Sequence, residues 1–308
     1  MIVAITGGTG FVGAALARGL VASGHKAKLI ARGLNQRDES IRQLANTSFT
    51  PITDMDEKKL FLTFSGCDAV AHCMGIHREM KKGDFQKVHV QSTLNVLSAA
   101  RRANIKKIVL VTYLRARPRM FSAYHKSKWD AEELVRSSEL DYTIVKPGLI
   151  FGHGDHMVSH ISRGLKSMPL VGIFPTVGIF QKSIRPVSID DVVKVLMAAL
   201  VDNRLSRQTV AVVGPEEMSL GRAVQRVSKV MHKWTITLPM PALAHYAVAC
   251  SMENSMKDPL VSIAQIRMLA EGMSQPLPNT DLLPSDLVPQ TKFTEEEIRA
   301  ALGEPPKS

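Results

Sequence analysis

Tyr124 and Lys128 stand four residues apart in A-Y-H-K-S-K-W, inside a stretch whose apolar spacing predicts a helix over residues 123–137. Residues at i and i+4 share a helix face. A phenol placed there can pass a proton to or from a substrate oxygen. An ammonium beside it lowers the phenol pKa, because an opposite charge favours the ionised form. Twelve residues upstream, Thr112 ends a predicted strand with a hydroxyl that could hydrogen-bond the same oxygen. Tyr-x-x-x-Lys recurs by chance in many chains, so its meaning depends on what precedes it.

What precedes it is I-V-A-I-T-G-G-T-G-F-V-G at residues 2–13, a short apolar run entering a turn with Gly7, Gly8, Gly10 and Gly13, then a helical pattern to Ser23. Strand, glycine turn and helix in that order hold the pyrophosphate of a dinucleotide. The glycines allow the tight turn and close approach of backbone N–H groups, and the helix N-terminus adds partial positive charge. Arg32 closes the second predicted strand in L-I-A-R. An acid at that place accepts from a ribose 2′-OH, whereas a guanidinium pairs with a 2′-phosphate. The expected cofactor is therefore NADP(H), with NAD(H) as the alternative.

Those residues need a scaffold, and the alternation of patterns over residues 1–150 supplies one. Predicted strands at 2–6, 27–31, 69–72, 108–112 and 142–146 are separated by predicted helices at 11–23, 57–64, 85–103 and 123–137. This rhythm implies βαβ units, hence an α/β, Rossmann-type, doubly wound parallel sheet. Ligands of such sheets bind at the carboxyl ends of the strands, where Thr6, Arg32, His72 to Gly75, Thr112 and Pro147 fall. Residues 1–150 are assigned as the dinucleotide-binding domain. Residues 151–308 form a smaller substrate region, partly interleaved with the first, with helices over 189–201 and 219–232 and a strand over 209–213. Thr294 is placed to cap a last helix, with Glu297 at its third position.

Composition narrows the function classes. Residues 1–150 carry 23 Lys and Arg against 13 Asp and Glu; the remainder carries 16 against 15. The basic excess thus lies on the half expected to hold an anionic cofactor. No recognition-helix motif and no basic run interleaved with aromatics argues for nucleic acid. Cys67, Cys73 and Cys250 show no C-x-x-C spacing, the first strand begins at residue 2, and no apolar run reaches membrane-spanning length. A cytoplasmic protein without a transmembrane segment is expected, with association to a membrane surface or a larger complex left open. Arg115, Arg117 and Arg119 alternate in the loop before Tyr124. They either face an anionic substrate or form a solvated loop. His153, His156 and His160, with Asp155, mimic metal-ligand spacing; substrate contact or plain exposure are the other readings.

The chain resembles the short-chain dehydrogenase/reductase superfamily in its atypical, extended branch. The resemblance rests on T-G-G-T-G-F-V-G at 6–13, C-D-A-V-A-H-C-M-G at 67–75, V-H-V-Q-S-T-L-N-V at 88–96, Y-H-K-S-K at 124–128, K-P-G-L-I-F-G at 146–152 and R-P-V-S-I-D-D-V at 185–192. Within that branch the pattern is most similar to the group containing the NADPH-binding accessory subunit of respiratory complex I. The resemblance implies Tyr124 as catalytic acid/base, Lys128 on the nicotinamide ribose, and Thr112 where relatives carry serine. It places Gly7, Thr9, Gly10, Phe11, Val12 and Gly13 in the phosphate turn, Asp54 against the adenine, Met74 and Gly75 on the cofactor, and Pro147, Gly148 and Phe151 along the nicotinamide. It implies no metal. The implied activity is NAD(P)(H)-dependent oxidoreduction of a small molecule, anionic if the arginine loop faces it. The alternatives are an epimerase or dehydratase with retained cofactor, and a structural or assembly protein that binds NADPH without turnover.

Overall fold

In the computed structural model, which describes residues 1–32, 40–118, 122–168, 171–180, 182–255 and 262–303, the alternating pattern becomes a seven-stranded sheet. The elements of the first half are β1 (Ile2–Thr6), α1 (Phe11–Ala22), β2 (Lys26–Ala31), α2 (Ser40–Gln43), β3 (Thr47–Pro51), α3 (Glu57–Phe64), β4 (Ala69–His72), α4 (Ser92–Arg102), β5 (Lys107–Val111), α5 (Ala123–Arg136) and β6 (Asp141–Pro147). The second half adds β7 (Ile150–Phe151), α6 (Met157–Lys166), β8 (Val171–Val177), β9 (Ser183–Ile184), β10 (Val187–Ser188), α7 (Ile189–Leu200), β11 (Gln208–Val212), β12 (Met218–Ser219), α8 (Leu220–Val230), β13 (Trp234–Met240), α9 (Ala242–Ser255), α10 (Ile263–Glu271) and α11 (Glu295–Leu302).

The sheet order is β11-β6-β5-β4-β1-β2-β3, and the pairs from β3 across to β6 are parallel. Strands covered on both faces should read as unbroken apolar runs. β4 (A-V-A-H) and β5 (K-I-V-L-V) are buried at every position. The strand order reverses between β1 and β4, which makes their carboxyl ends the topological switch point. β3 was not among the predicted strands. Its T-S-F-T-P sequence is polar and only half-buried, as suits a sheet edge. The predicted helix over 85–103 is also divided, with a π-helical turn at Gln86–Gln91 leading into α4.

Two compact units emerge, each built from three stretches of chain. The first comprises residues 1–147, 192–211 and 278–287; the second comprises 148–191, 212–277 and 288–308. The first contains a core in which Phe64, Val70, Ile108 and Ile144 are fully buried. In the second, β13 pairs with β8 in parallel over its whole length, and α8 carries Ser219 as its cap, accepting from Arg222 N–H. Phe151 meets Phe293 edge-on at 5.0 Å, and Thr294 caps α11 by accepting from Glu297 N–H at 3.3 Å, as its sequence position suggested. Among the described residues, no helix is long and apolar enough to cross a membrane.

Candidate active site

The glycine turn is strapped to the strands beneath it. Gly7 N–H and Gly8 N–H both donate to Ile30 O, at 2.8 and 3.2 Å, and Gly10 N–H donates to Gly7 O at 2.8 Å. Gly7 has φ +73°, a conformation that disfavours any side chain. A Cβ on Gly13 would lie 2.4 Å from Gly7 O, and one on Gly7 would lie 3.0 Å from the backbone of Met74. The turn after β1 and the loop after β4 therefore meet backbone to backbone at the switch point. α1 begins with Gly10 as its cap, makes no side-chain cap bond, and has no acid in its first turn. Its first N–H groups thus form an uncompensated positive dipole end, suited to a phosphate. Thr9 is buried within the turn, and Phe11, Val12 and Gly13 form the first helical positions. The residues present fit a dinucleotide.

Lys128 and Tyr124 share the inner face of α5, both buried. A Cβ on Gly75 would fall 2.9 Å from Lys128 Nζ and 3.7 Å from His89 Nε2, so the bare glycine is what admits the ammonium. Burial lowers Lys128 to about 8, against the opposing charge influence of Glu132 and Cys73. Thr112 follows β5, and its Oγ1 is buried without a hydrogen-bond partner among the described residues. Its N–H is held by Val145 O at 3.0 Å. An orphaned buried hydroxyl costs about 1–3 kcal/mol unless a ligand group meets it.

Tyr124 sits among rings: His77, Phe85, His89, Tyr113 and His125 all have centroids 5.5–5.7 Å from its own. Tyr113, the residue after Thr112, packs edge-on against this phenol. Burial is the sole cause acting on Tyr124, and it pushes the phenol up from its usual value. The expected lowering by Lys128 is not seen; that ammonium acts instead on His72, Cys73 and His89.

Beneath this pair lies a network that sequence reasoning did not pick out. Thr93 Oγ1 donates to His89 O at 2.6 Å, so toward His72 Nε2, 3.1 Å away, it can only accept. His72 therefore carries its proton on Nε2, and its bare Nδ1 accepts from Thr6 Oγ1 at 2.5 Å. His89 is the opposite tautomer. Its Nε2 accepts from Ile76 N–H at 3.2 Å, so Nδ1–H donates to Ser127 Oγ at 2.8 Å, and Ser127 in turn donates to Tyr124 O at 2.9 Å. Burial holds both imidazoles neutral, His72 at about 3 and His89 well below its ordinary value. The network joins the ends of β1 and β4, the π-turn and α5. His89 and Thr93 stand one helical turn apart in V-H-V-Q-S-T, the only signal that could have singled them out. Cys73, pushed up to about 12 by burial, remains a thiol.

The other predicted residues are placed as follows. Arg32 follows β2 and is exposed. Asp54 is exposed after β3, accepting from Asp56 N–H at 3.4 Å and lying 3.8 Å from Lys59 Nζ. Pro147 ends β6 in the first unit; Gly148 opens the second, where a Cβ would lie 3.3 Å from Arg185 O. Arg115 and Arg117 are half-buried in a loop that turns instead of extending, because Ala116 N–H donates to Tyr113 O at 3.0 Å. Arg117 Nη1 folds back to Arg115 O at 3.2 Å; Arg119 lies outside the described residues. The His156 and His160 rings are 5.7 Å apart, and His153 lies beside Gly303. Asp155 is engaged elsewhere, accepting from Gly152 N–H at 2.8 Å and Val158 N–H at 2.7 Å. Among the described residues, no three such ligands gather around a metal position.

Comparison with known proteins bears on this arrangement. A family model described as NAD(P)H-binding matches residues 7–167. The chain is 28% identical over 181 residues to mouse mitochondrial NADH dehydrogenase (ubiquinone) 1 alpha subcomplex subunit 9, covering 58% of this chain and 46% of that protein. It is 30% identical over 158 residues to the ceramide reductase of Caulobacter vibrioides, covering 50% and 48%. The chain thus spans about half the length of these curated relatives. Its fold is that of the UDP-glucose 4-epimerase of Thermus thermophilus, solved in complex with NAD, with a TM-score of 0.73 at 19% identity over 98% of both chains.

Proposed function

The chain belongs to the NAD(P)H-binding family, in the atypical, extended branch of the short-chain dehydrogenase/reductase superfamily, and from that premise we propose an NADP(H)-dependent oxidoreductase in which Tyr124 moves the proton. The cofactor, when bound, supplies hydride exchange at its nicotinamide ring. Residues Gly7 to Gly13 hold the pyrophosphate with backbone N–H groups, and Arg32 pairs with the 2′-phosphate. Asp54 meets the adenine; Met74, Gly75, Pro147 and Gly148 border the cofactor; Lys128 binds the nicotinamide ribose through its ammonium. Thr112 Oγ1 and the Tyr124 phenol converge on one substrate oxygen, the first orienting it and the second exchanging a proton with it. The observation that carries this reading is the Thr112 hydroxyl, buried and unpaired directly after β5. Such a group awaits a polar atom.

The test is Tyr124→Phe, which removes one hydroxyl and leaves the ring packing intact. Ketones and aldehydes, beginning with keto derivatives of lipid amides and of nucleotide sugars, are screened with NADPH as reductant. Turnover should fall about 10²-fold or more while nucleotide affinity is kept. Unchanged turnover would remove the proton role from Tyr124.

A second reading has its own observation. The phenol is enclosed by five rings and raised by burial with no relief from Lys128, which suits a site that binds nucleotide without turning it over. Displacement of bound nucleotide by labelled NADPH separates the two. Stoichiometric nucleotide that fails to exchange over hours, with no carbonyl consumed, favours the structural role. Retained nucleotide with product formed and no net oxidation marks an epimerase or dehydratase.

A further inference from the structure

The parallel pair β8–β13 in the second unit has one face packed; the other is covered at its far end, where Val177 is buried with Ala249 and Ile266, and open before it. On the packed face, Thr235 Oγ1 donates to Ser228 Oγ of α8 at 2.8 Å, Ser228 spending its own proton on Lys233 O at 2.6 Å, and Phe174 presses on Gly164 of α6, where a Cβ would come within 2.9 Å of the ring. The opposite residues of β13 are Trp234, Ile236 and Leu238, and they are 72%, 56% and 48% exposed. The register sets Ile236 beside Ile173, itself 60% exposed, and Leu238 beside Pro175. A strand with one wet face ordinarily alternates apolar with polar, and parallel sheets are ordinarily covered on both sides. Here the alternation is threonine inward and large apolar outward, the reverse of a solvated face. A contiguous apolar surface of this kind marks an interaction site.

The charge pattern selects the occupant. Residues 156–189, which contain β8, hold no Asp or Glu, and neither do residues 218–252, which contain β13. Together these two stretches carry eight Lys and Arg, of which Arg226 pairs with Glu216 and Lys229 with Glu295, while the second half of the chain elsewhere holds 15 acids. Lys166 ends α6 just before β8 and is exposed; His232, also exposed, stands two residues before Trp234. We infer that this sheet face docks on the surface of an anionic phospholipid bilayer, with Ile173, Ile236 and Leu238 entering the headgroup–acyl boundary. Trp234 lies at that level, where amphipathic rings concentrate, and the basic side chains of the two stretches, exposed Lys166 among them, meet the negative surface potential. The inference rests on the second unit alone and is independent of the proposed turnover.

The test uses the full chain with phosphatidylcholine vesicles, with and without phosphatidylglycerol. Binding should require the anionic lipid, weaken in high salt, and blue-shift the tryptophan emission. Trp234→Phe should abolish the shift. Ile236→Ser with Leu238→Ser should lower vesicle affinity about tenfold or more while the urea transition of the full chain stays unchanged, which shows that the fold is intact. Three results would each overturn the inference: no vesicle binding, binding that the double serine variant retains, or concentration-dependent dimerisation that the same variant abolishes. The last would place a second copy of the chain on this face.

Discussion

Arg32 stands exposed directly after β2, at the carboxyl edge of the sheet. Arg32→Ala should weaken NADPH by about 1–3 kcal/mol, the range of a charge-assisted hydrogen bond, and barely change NADH. Calorimetry giving equal NADPH and NADH affinities in the unaltered protein would refute the role. Lys128 adds a pH signature. Its value in the free protein, about 8, lies below its ordinary 10.5, so the folded state holds the proton less tightly than the unfolded chain. Stability should therefore rise, not fall, as pH climbs from about 8 toward 10.5. A ribose that hydrogen-bonds the ammonium reverses the preference, so NADPH binding above pH 8 should take up a proton and weaken with further increase in pH. Calorimetry in buffers of different ionisation enthalpy reads this uptake, and Lys128→Met should abolish it. At this scale the sequence was informative wherever a motif fixes a backbone. Gly7, Gly13 and the Tyr124–Lys128 spacing were legible because each has a geometric reason. The neutral His72 and His89 were not, because their roles depend on which hydroxyl spends its only proton where.

Elements hold these residues by two devices. The first is the closeness of the loop after β4 to α5. Gly75→Ala would place a methyl within 2.9 Å of Lys128 Nζ, the free end of a flexible side chain. The protein should keep its fold while NADPH affinity drops at least about tenfold, as for a lost charge-assisted bond. Gly13→Ala, whose methyl would strike a carbonyl at 2.4 Å, should instead destabilise the turn itself. Equal nucleotide affinity in Gly75→Ala would show that Lys128 does not need its present position. The second device is a buried ion pair. Lys146 of β6 donates to Glu132 of α5 at 2.9 Å and to Ala116 O at 3.0 Å, and both side chains are fully buried. It clamps the loop after Thr112 between strand and helix. Glu132→Ala leaves an uncompensated buried cation and should cost about 3–5 kcal/mol, measured as a shift in urea midpoint. The strands whose predicted boundaries match the structure, β1 and β4, are buried at every position but Ile2. β3 was missed because an edge strand needs no apolar run, and β7, β9, β10 and β12 because two residues carry no period. W-T-I-T-L in β13 does alternate, but no sequence signal tells which face is wet.

For the whole molecule, the decisive feature is that the nucleotide-binding unit is not contiguous. It takes β11 for its sheet edge beside β6, and Asp281 then closes on β11. Thr143 Oγ1 donates to Leu205 O and Arg207 N–H to Tyr142 O, each at 2.7 Å, and Asp281 exchanges two 2.7 Å bonds with Thr209. A fragment of residues 1–150 would leave the β6 edge bare. It should fail to give a cooperative urea transition even with saturating NADPH, whereas the full chain with NADPH should be stabilised by mass action. A fragment that unfolds cooperatively would show β11 to be dispensable. The same arrangement sets a schedule for biosynthesis. A ribosome that has made every residue of the phosphate turn, the tyrosine and the lysine has still not made the strand that seals their sheet. From the emergence of β6 until Asp281 clears the exit tunnel, the nascent chain carries an open parallel edge, and chaperone occupancy should concentrate in that interval.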